Sequence, residues 1–86
     1  MPQYRTVFET QKGEVEYALN LRDHETLSQI WDPLMDELIR KHAPLRGEGP
    51  PHAIWKNKIL DMQQPFGAQG VQDGETILVR CFYKNG

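Results

Sequence analysis

Between Thr26 and His42 the chain reads TLSQIWDPLMDELIRKH, with apolar residues at Leu27, Ile30, Trp31, Leu34, Met35, Leu38 and Ile39. The spacings i, i+3, i+4, i+7, i+8, i+11 and i+12 form one continuous stripe of helical period. Asp32, Asp36, Glu37 and Arg40 take the far side. Eighty-six residues leave room for one core, and one amphipathic helix must bury its stripe against another layer. Thr26 is placed as the N-cap, its hydroxyl free to accept an orphan backbone N–H. Pro44 disfavours helical angles at Ala43, so the helix should end near His42. Pro33 removes one helical hydrogen bond and crowds the preceding turn. Asp32-Pro33 also suits the start of a separate helix over 33–42. The stripe runs unbroken past Pro33, which sits off it, and this favours one Pro-kinked helix.

The other layer is a sheet. Tyr4 to Thr10 reads as a strand with Tyr4, Thr6 and Phe8 on one side and Arg5, Val7 and Glu9 on the other. After the turn Gln11-Lys12-Gly13, residues Glu14 to Leu21 alternate, with Val15, Tyr17, Leu19 and Leu21 facing in. The two runs make a β-hairpin. Leu45 to His52, with two glycines and two prolines, is a loop. Ala53-Ile54-Trp55 and Ile59-Leu60 are short strands about the turn Lys56-Asn57-Lys58. Asp73-Gly74 marks a reversal before Thr76 to Tyr83, a run of β-branched and aromatic residues that reads as the last strand. The expected fold is therefore α+β, one helix across a mixed sheet of four or five strands, in a single domain over residues 1–86 with a tail at 83–86.

From Ile54 onward this pattern resembles ubiquitin and its relatives. The two chains align without a gap and stop at the same place. Ile54, Trp55, Leu60, Phe66, Val71, Ile77 and Val79 fall on apolar core or surface-patch positions, Lys58 on a chain-linking lysine and Gly86 on the terminal glycine. The fold that this implies is the β-grasp. The resemblance extends to small bacterial ubiquitin-like proteins, such as those encoded with type VII secretion systems or serving as subunits of diiron monooxygenases. They share the hairpin, the helix, the Pro-rich loop and the Gly-Val-x-Asp-Gly pattern seen here at 70–74.

Catalysis finds little support in the residues. His24, His42 and His52 lie in a pre-helix loop, at a helix end and in a Pro-rich loop, without the ligand spacing of a zinc site. His42, with Arg40 and Lys41, suits the negative end of the helix dipole. Cys81 alternates along a strand as a small packed hydrophobe. GAQGVQDG has no Lys-Ser/Thr ending and no following helix, so its glycines are turn residues. No enzymatic activity, cofactor or metal is expected. The formal charge of −2 divides into three basic and eight acidic residues over 1–39 and seven basic and four acidic over 40–86. That lacks the dominant basic face of a nucleic-acid binder. No apolar window of about 18 residues is present to span a membrane. MPQYRTVFET lacks the apolar centre of a secretory signal, and the lone Cys81 fits a cytoplasmic chain.

What remains is docking onto other proteins, by a chain expected to be monomeric when free. Two roles follow from the resemblance. In the first, the chain is a covalent protein modifier, activated at Gly86 by an ATP-dependent activating enzyme; Asn85 departs from the Gly-Gly ending of ubiquitin. In the second, it is a non-covalent accessory subunit of a larger complex. Sulfur carriers of cofactor biosynthesis share the fold but normally end in Gly-Gly, so Asn85 counts against that class. The resemblance also indicates a partner surface on the sheet face opposite the helix. Ile54 takes the place of the patch isoleucine and Leu78 and Arg80 those of its final-strand neighbours, while Gln11 stands where the hairpin-turn leucine would be. Phe82 and Lys58 complete the candidate partner-binding set.

Overall fold

Thr10 closes the first strand and sets the first turn. Its hydroxyl donates to the Gly13 carbonyl at 2.7 Å and accepts the Lys12 N–H at 3.1 Å. Gly13 follows with φ 117°, a conformation that favours glycine. The computed structural model describes residues 2–82. Strands β1 (Gln3–Thr10) and β2 (Gly13–Asn20) pair antiparallel from Gln3↔Asn20 to Thr10↔Gly13. Helix α1 (Leu27–Lys41) then crosses over to β3 (Pro51–Trp55), β4 (Lys58–Leu60), a 3-10 turn at Gly67–Gln69 and β5 (Thr76–Cys81). β5 lies parallel to β1, with Arg5↔Thr76 through Phe8↔Val79, and antiparallel to β3. The five-stranded mixed sheet has the order β2-β1-β5-β3-β4. A parallel pair cannot be joined by a tight turn, and the segment containing α1 supplies the crossover.

The helix starts where Thr26 caps it. Thr26 Oγ1 accepts the Gln29 N–H at 3.3 Å, and Gln29 Oε1 accepts the Thr26 N–H at 3.1 Å. This reciprocal pair satisfies two donors that a helix start leaves orphaned. α1 then runs as one helix through Pro33, as the unbroken stripe requires, and the His42 N–H closes it on the Leu38 carbonyl at 2.8 Å. Leu27, Leu34 and Leu38 are buried with Tyr4, Phe8, Leu19, Leu60, Phe66, Val71, Ile77 and Val79. Ile30, Trp31 and Met35 are partly buried against the same cluster. Ile39 departs from the expected stripe, for it is 52% exposed. Each i+4 step advances about 40° around a helix. Trp31, Met35 and Ile39 therefore drift progressively away from the line of Leu27, Leu34 and Leu38, and Ile39 ends on the open flank.

The strand limits shift on the far side of the sheet. β3 begins at Pro51, inside the stretch that reads as loop, because a first strand residue needs no N–H and Pro51 lies opposite Cys81. The β3–β4 turn holds Lys56 at φ 49° and Asn57 at φ 64°, the two positive angles of a type I′ hairpin turn. β5 stops at Cys81 rather than Tyr83, which lies outside the described residues. Beyond it, the Phe82 carbonyl accepts the Gly49 N–H at 2.8 Å. The Pro/Gly-rich loop is pressed so closely onto this end that a Cβ on Gly49 would collide with the Phe82 carbonyl oxygen.

These positions separate core from flank within one helix. Leu38→Ala should cost about 2–5 kcal/mol in denaturant unfolding, as truncated buried leucines do. Ile39→Ala, one residue on, should cost less than about 0.5 kcal/mol. Equal losses would mean that Ile39 belongs to the core.

Candidate functional site

Strand alternation gives every sheet residue one of two faces. Tyr4, Thr6, Phe8, Ile77, Val79, Ala53 and Leu60 point to the helix side and are buried. The residues between them point the other way. Along that outer face, Ile59 of β4 lies opposite Ile54 of β3, and Ile54 lies opposite Leu78 of β5. Leu78 in turn lies beside Val7 of β1, whose other neighbour is Glu16 of β2. Ile59, Ile54, Leu78 and Val7 thus form one apolar row across four adjacent strands. Ile59 is 59% exposed, and Ile54, Leu78 and Val7 are half-buried.

Charged groups rim the row. On one side, Arg5 Nε meets Glu16 Oε1 at 2.7 Å, and this bond holds the Arg5 guanidinium above its ordinary pKa. On the other, Arg80 Nε lies 3.6 Å from Glu9 Oε1, and neither side chain is fully exposed. Arg80 Nε is buried without a hydrogen-bond partner among the described residues. Next to Arg80, His52 stacks on Phe82 with ring centres 4.1 Å apart. The result is an apolar band with polar margins. Among the described residues no group of three His, Cys, Asp or Glu side chains could hold a metal ion. Cys81 is buried, and burial pushes its thiol pKa up, away from the reactive thiolate.

Ile54, Leu78, Arg80 and Phe82 of the candidate partner-binding set therefore share the outer face. Lys58 does not join them. It lies opposite Trp55 and alternates with buried Leu60, so it sits at the β4 edge on the helix side, where it is exposed. Gln11 is exposed in the first hairpin turn. Gly86, the candidate conjugation residue, lies outside the described residues.

Two members of the row escaped sequence reasoning. Val7 reads as a stray apolar residue between Arg5 and Glu9, and only the parallel β1–β5 register sets it against Leu78. Ile59 precedes Leu60, and the pair reads as one apolar unit although the two side chains point to opposite faces. His52 was hidden because the sequence reads it as part of the Pro-rich loop, whereas β3 begins at Pro51.

No protein-family model matches the sequence, and no curated protein matches it significantly. Solved structures do. The EccD5 ubiquitin-like domain from Mycobacterium xenopi superposes with a TM-score of 0.66 at 20% identity, over 99% of this chain and 100% of that one. The fold is the ubiquitin-like β-grasp. The ubiquitin-like domain of the Mycobacterium tuberculosis type VII secretion system protein ECCD1 matches it with a TM-score of 0.57 at 15% identity, over 93% of this chain and 99% of the other. A chain of the ESX-5 inner membrane complex, in its MycP5-free State II, matches with a TM-score of 0.66 at 21% identity over all of this chain. This chain spans 22% of the length of that one.

Within this β-grasp sheet the Arg80–Glu9 pair is only partly shielded, for the two side chains are 33% and 22% exposed although Arg80 Nε itself is buried. Arg80→Met should change the unfolding free energy by less than about 1 kcal/mol. A loss above about 2 kcal/mol would make the pair a structural element rather than part of a binding margin.

Proposed function

We propose that the chain is a ubiquitin-like docking domain that binds another protein non-covalently through its outer sheet face, as an accessory part of a larger assembly. The apolar row Val7–Leu78–Ile54–Ile59 carries this reading: it crosses four strands, and no second layer covers it among the described residues. The structural neighbours support it. One belongs to an inner membrane complex and another is a domain of a type VII secretion system protein, so this fold is found in those proteins as one part of a larger machine. In this reading the domain has no catalytic activity, is monomeric when free, and works in the cytoplasm, where an unpaired cysteine is the ordinary state. The covalent role, with an activating enzyme acting on Gly86, rests on the position of that residue in the sequence.

Protein tagged at its N-terminus is incubated in native extract with ATP, in wild-type, Gly86-deleted, Ile54→Asp and Leu78→Asp forms. The expected result is one bound partner shared by the wild-type and Gly86-deleted proteins and lost by at least about tenfold in both Asp variants, as for truncated interface anchors. ATP-dependent adducts that survive denaturing gels and vanish without Gly86 would overturn the docking reading in favour of a modifier. Unchanged capture by both Asp variants would move the site off the outer face.

A further inference from the structure

On the helix side of the sheet, at the β1 N-terminal end, a cleft of about 340 Å³ opens between Tyr4, Leu21, Asp23, Phe66, Gly67 and Asp73. Its volume lies at the lower end of small-ligand sites. The inner wall is apolar: Leu21, Phe66 and Val71 are buried, and the Phe66 ring meets the Tyr4 ring edge-on at 5.5 Å. Tyr4 is only 3% exposed, and its hydroxyl has no hydrogen-bond partner among the described residues. A Cβ on Gly67, at the rim, would sit 3.8 Å from that hydroxyl, which sets the phenol oxygen at the cleft. Burial, helped by the nearby carboxylates of Asp23 and Asp73, pushes the phenol pKa up, so the hydroxyl stays protonated. The ring is buried while its oxygen borders the cleft, where a bound donor can reach it.

The rim is acidic. Asp23, Glu25 and Asp73 line it against one cation, Arg22. Asp73 Oδ1 accepts the Gln3 N–H at 2.6 Å and Glu25 Oε1 accepts the Arg22 N–H at 2.7 Å, so those two carboxylates are fixed in place by the backbone. Asp23 has no such bond among the described residues and is exposed. An apolar wall ending at a phenol and a free carboxylate matches an aliphatic stem ending in a cation. The carboxylates do not form a cluster able to hold a metal ion.

We propose that this cleft takes the side chain of a lysine on a protein partner. Its methylene stem lies along Leu21, Phe66 and Val71. Its ammonium donates to the Tyr4 phenol oxygen and to the Asp23 carboxylate. The cleft lies on the helix side of the sheet, so this assignment stands or falls independently of the outer-face row.

The test is titration of 15N-labelled full chain, followed by amide shifts, with three probes: acetyl-Gly-Gly-Lys-Gly-Gly-amide, the same peptide with norleucine for lysine, and n-butylammonium chloride. The lysine peptide and the amine should move the Leu21, Gly67 and Val71 signals. The norleucine peptide should bind at least about fivefold more weakly, for want of the charged hydrogen bonds. Tyr4→Phe keeps the ring and Asp23→Asn is a change at an exposed position, so both variants retain the fold; each should weaken the lysine peptide by about threefold or more. Absence of shifts, equal binding of the norleucine peptide, or wild-type affinity in both variants would overturn the assignment. Binding of butylammonium without the lysine peptide would also overturn it, leaving a site for free amines.

Discussion

The parallel pairing of β1 with β5 holds this molecule together. It joins residues about seventy positions apart, from Arg5↔Thr76 to Phe8↔Val79, and it is the contact through which the N-terminal hairpin meets the C-terminal half of the sheet. Thr6, Phe8, Ile77 and Val79 at its centre are wholly buried. Closing so long a loop costs entropy that local contacts do not recover. The apolar wall of these two strands and the buried stripe of α1 laid over it supply the compensating burial. The sheet edges then add their own short-range pairings, each stabilised by a turn suited to it.

The same pairing creates the functional asymmetry. Phe8 and Val79 face the helix; one residue earlier on each strand, Val7 and Leu78 face outward and extend the row begun by Ile59 and Ile54. Burial on one side and an apolar band on the other are thus two faces of one register, and a slip by one residue would exchange them. The helix covers one face and leaves the second open. Where the sheet ends near Tyr4, the helix-side layer does not close over the edge, and the cleft beneath Asp23 is the gap that remains.

Most of the fold was legible because each element carries its own local pattern. The helical stripe, the Thr26 cap, the Gly13 turn and the alternation of Tyr4-Thr6-Phe8 and Val15-Tyr17-Leu19 all follow from period and turn chemistry. The limits were less legible where tertiary contact decides them. Pro51 reads as a loop residue until β5 lies opposite it, and Ile39 reads as core until the drift of the stripe is counted against the position of the sheet. The outer face was half legible. Ile54, Leu78 and Arg80, with Phe82 beside them, were placed by the resemblance to ubiquitin, whereas Val7 and Ile59 are set by register between strands distant in sequence. The cleft at Tyr4 was not legible, since its walls come from four separate segments of the chain.

The claim on which the rest depends is that adjacent residues of β1 serve opposite purposes, one as core and the next as open surface. Equilibrium unfolding of Phe8→Lys and Val7→Lys tests it directly. Phe8→Lys buries an unpaired charge and should abolish the cooperative transition. Val7→Lys places its ammonium outward beside Glu16 and should stay folded, within about 1 kcal/mol of wild type. If Val7→Lys unfolds as completely as Phe8→Lys, the outer face is covered in the folded protein, and the docking account is wrong.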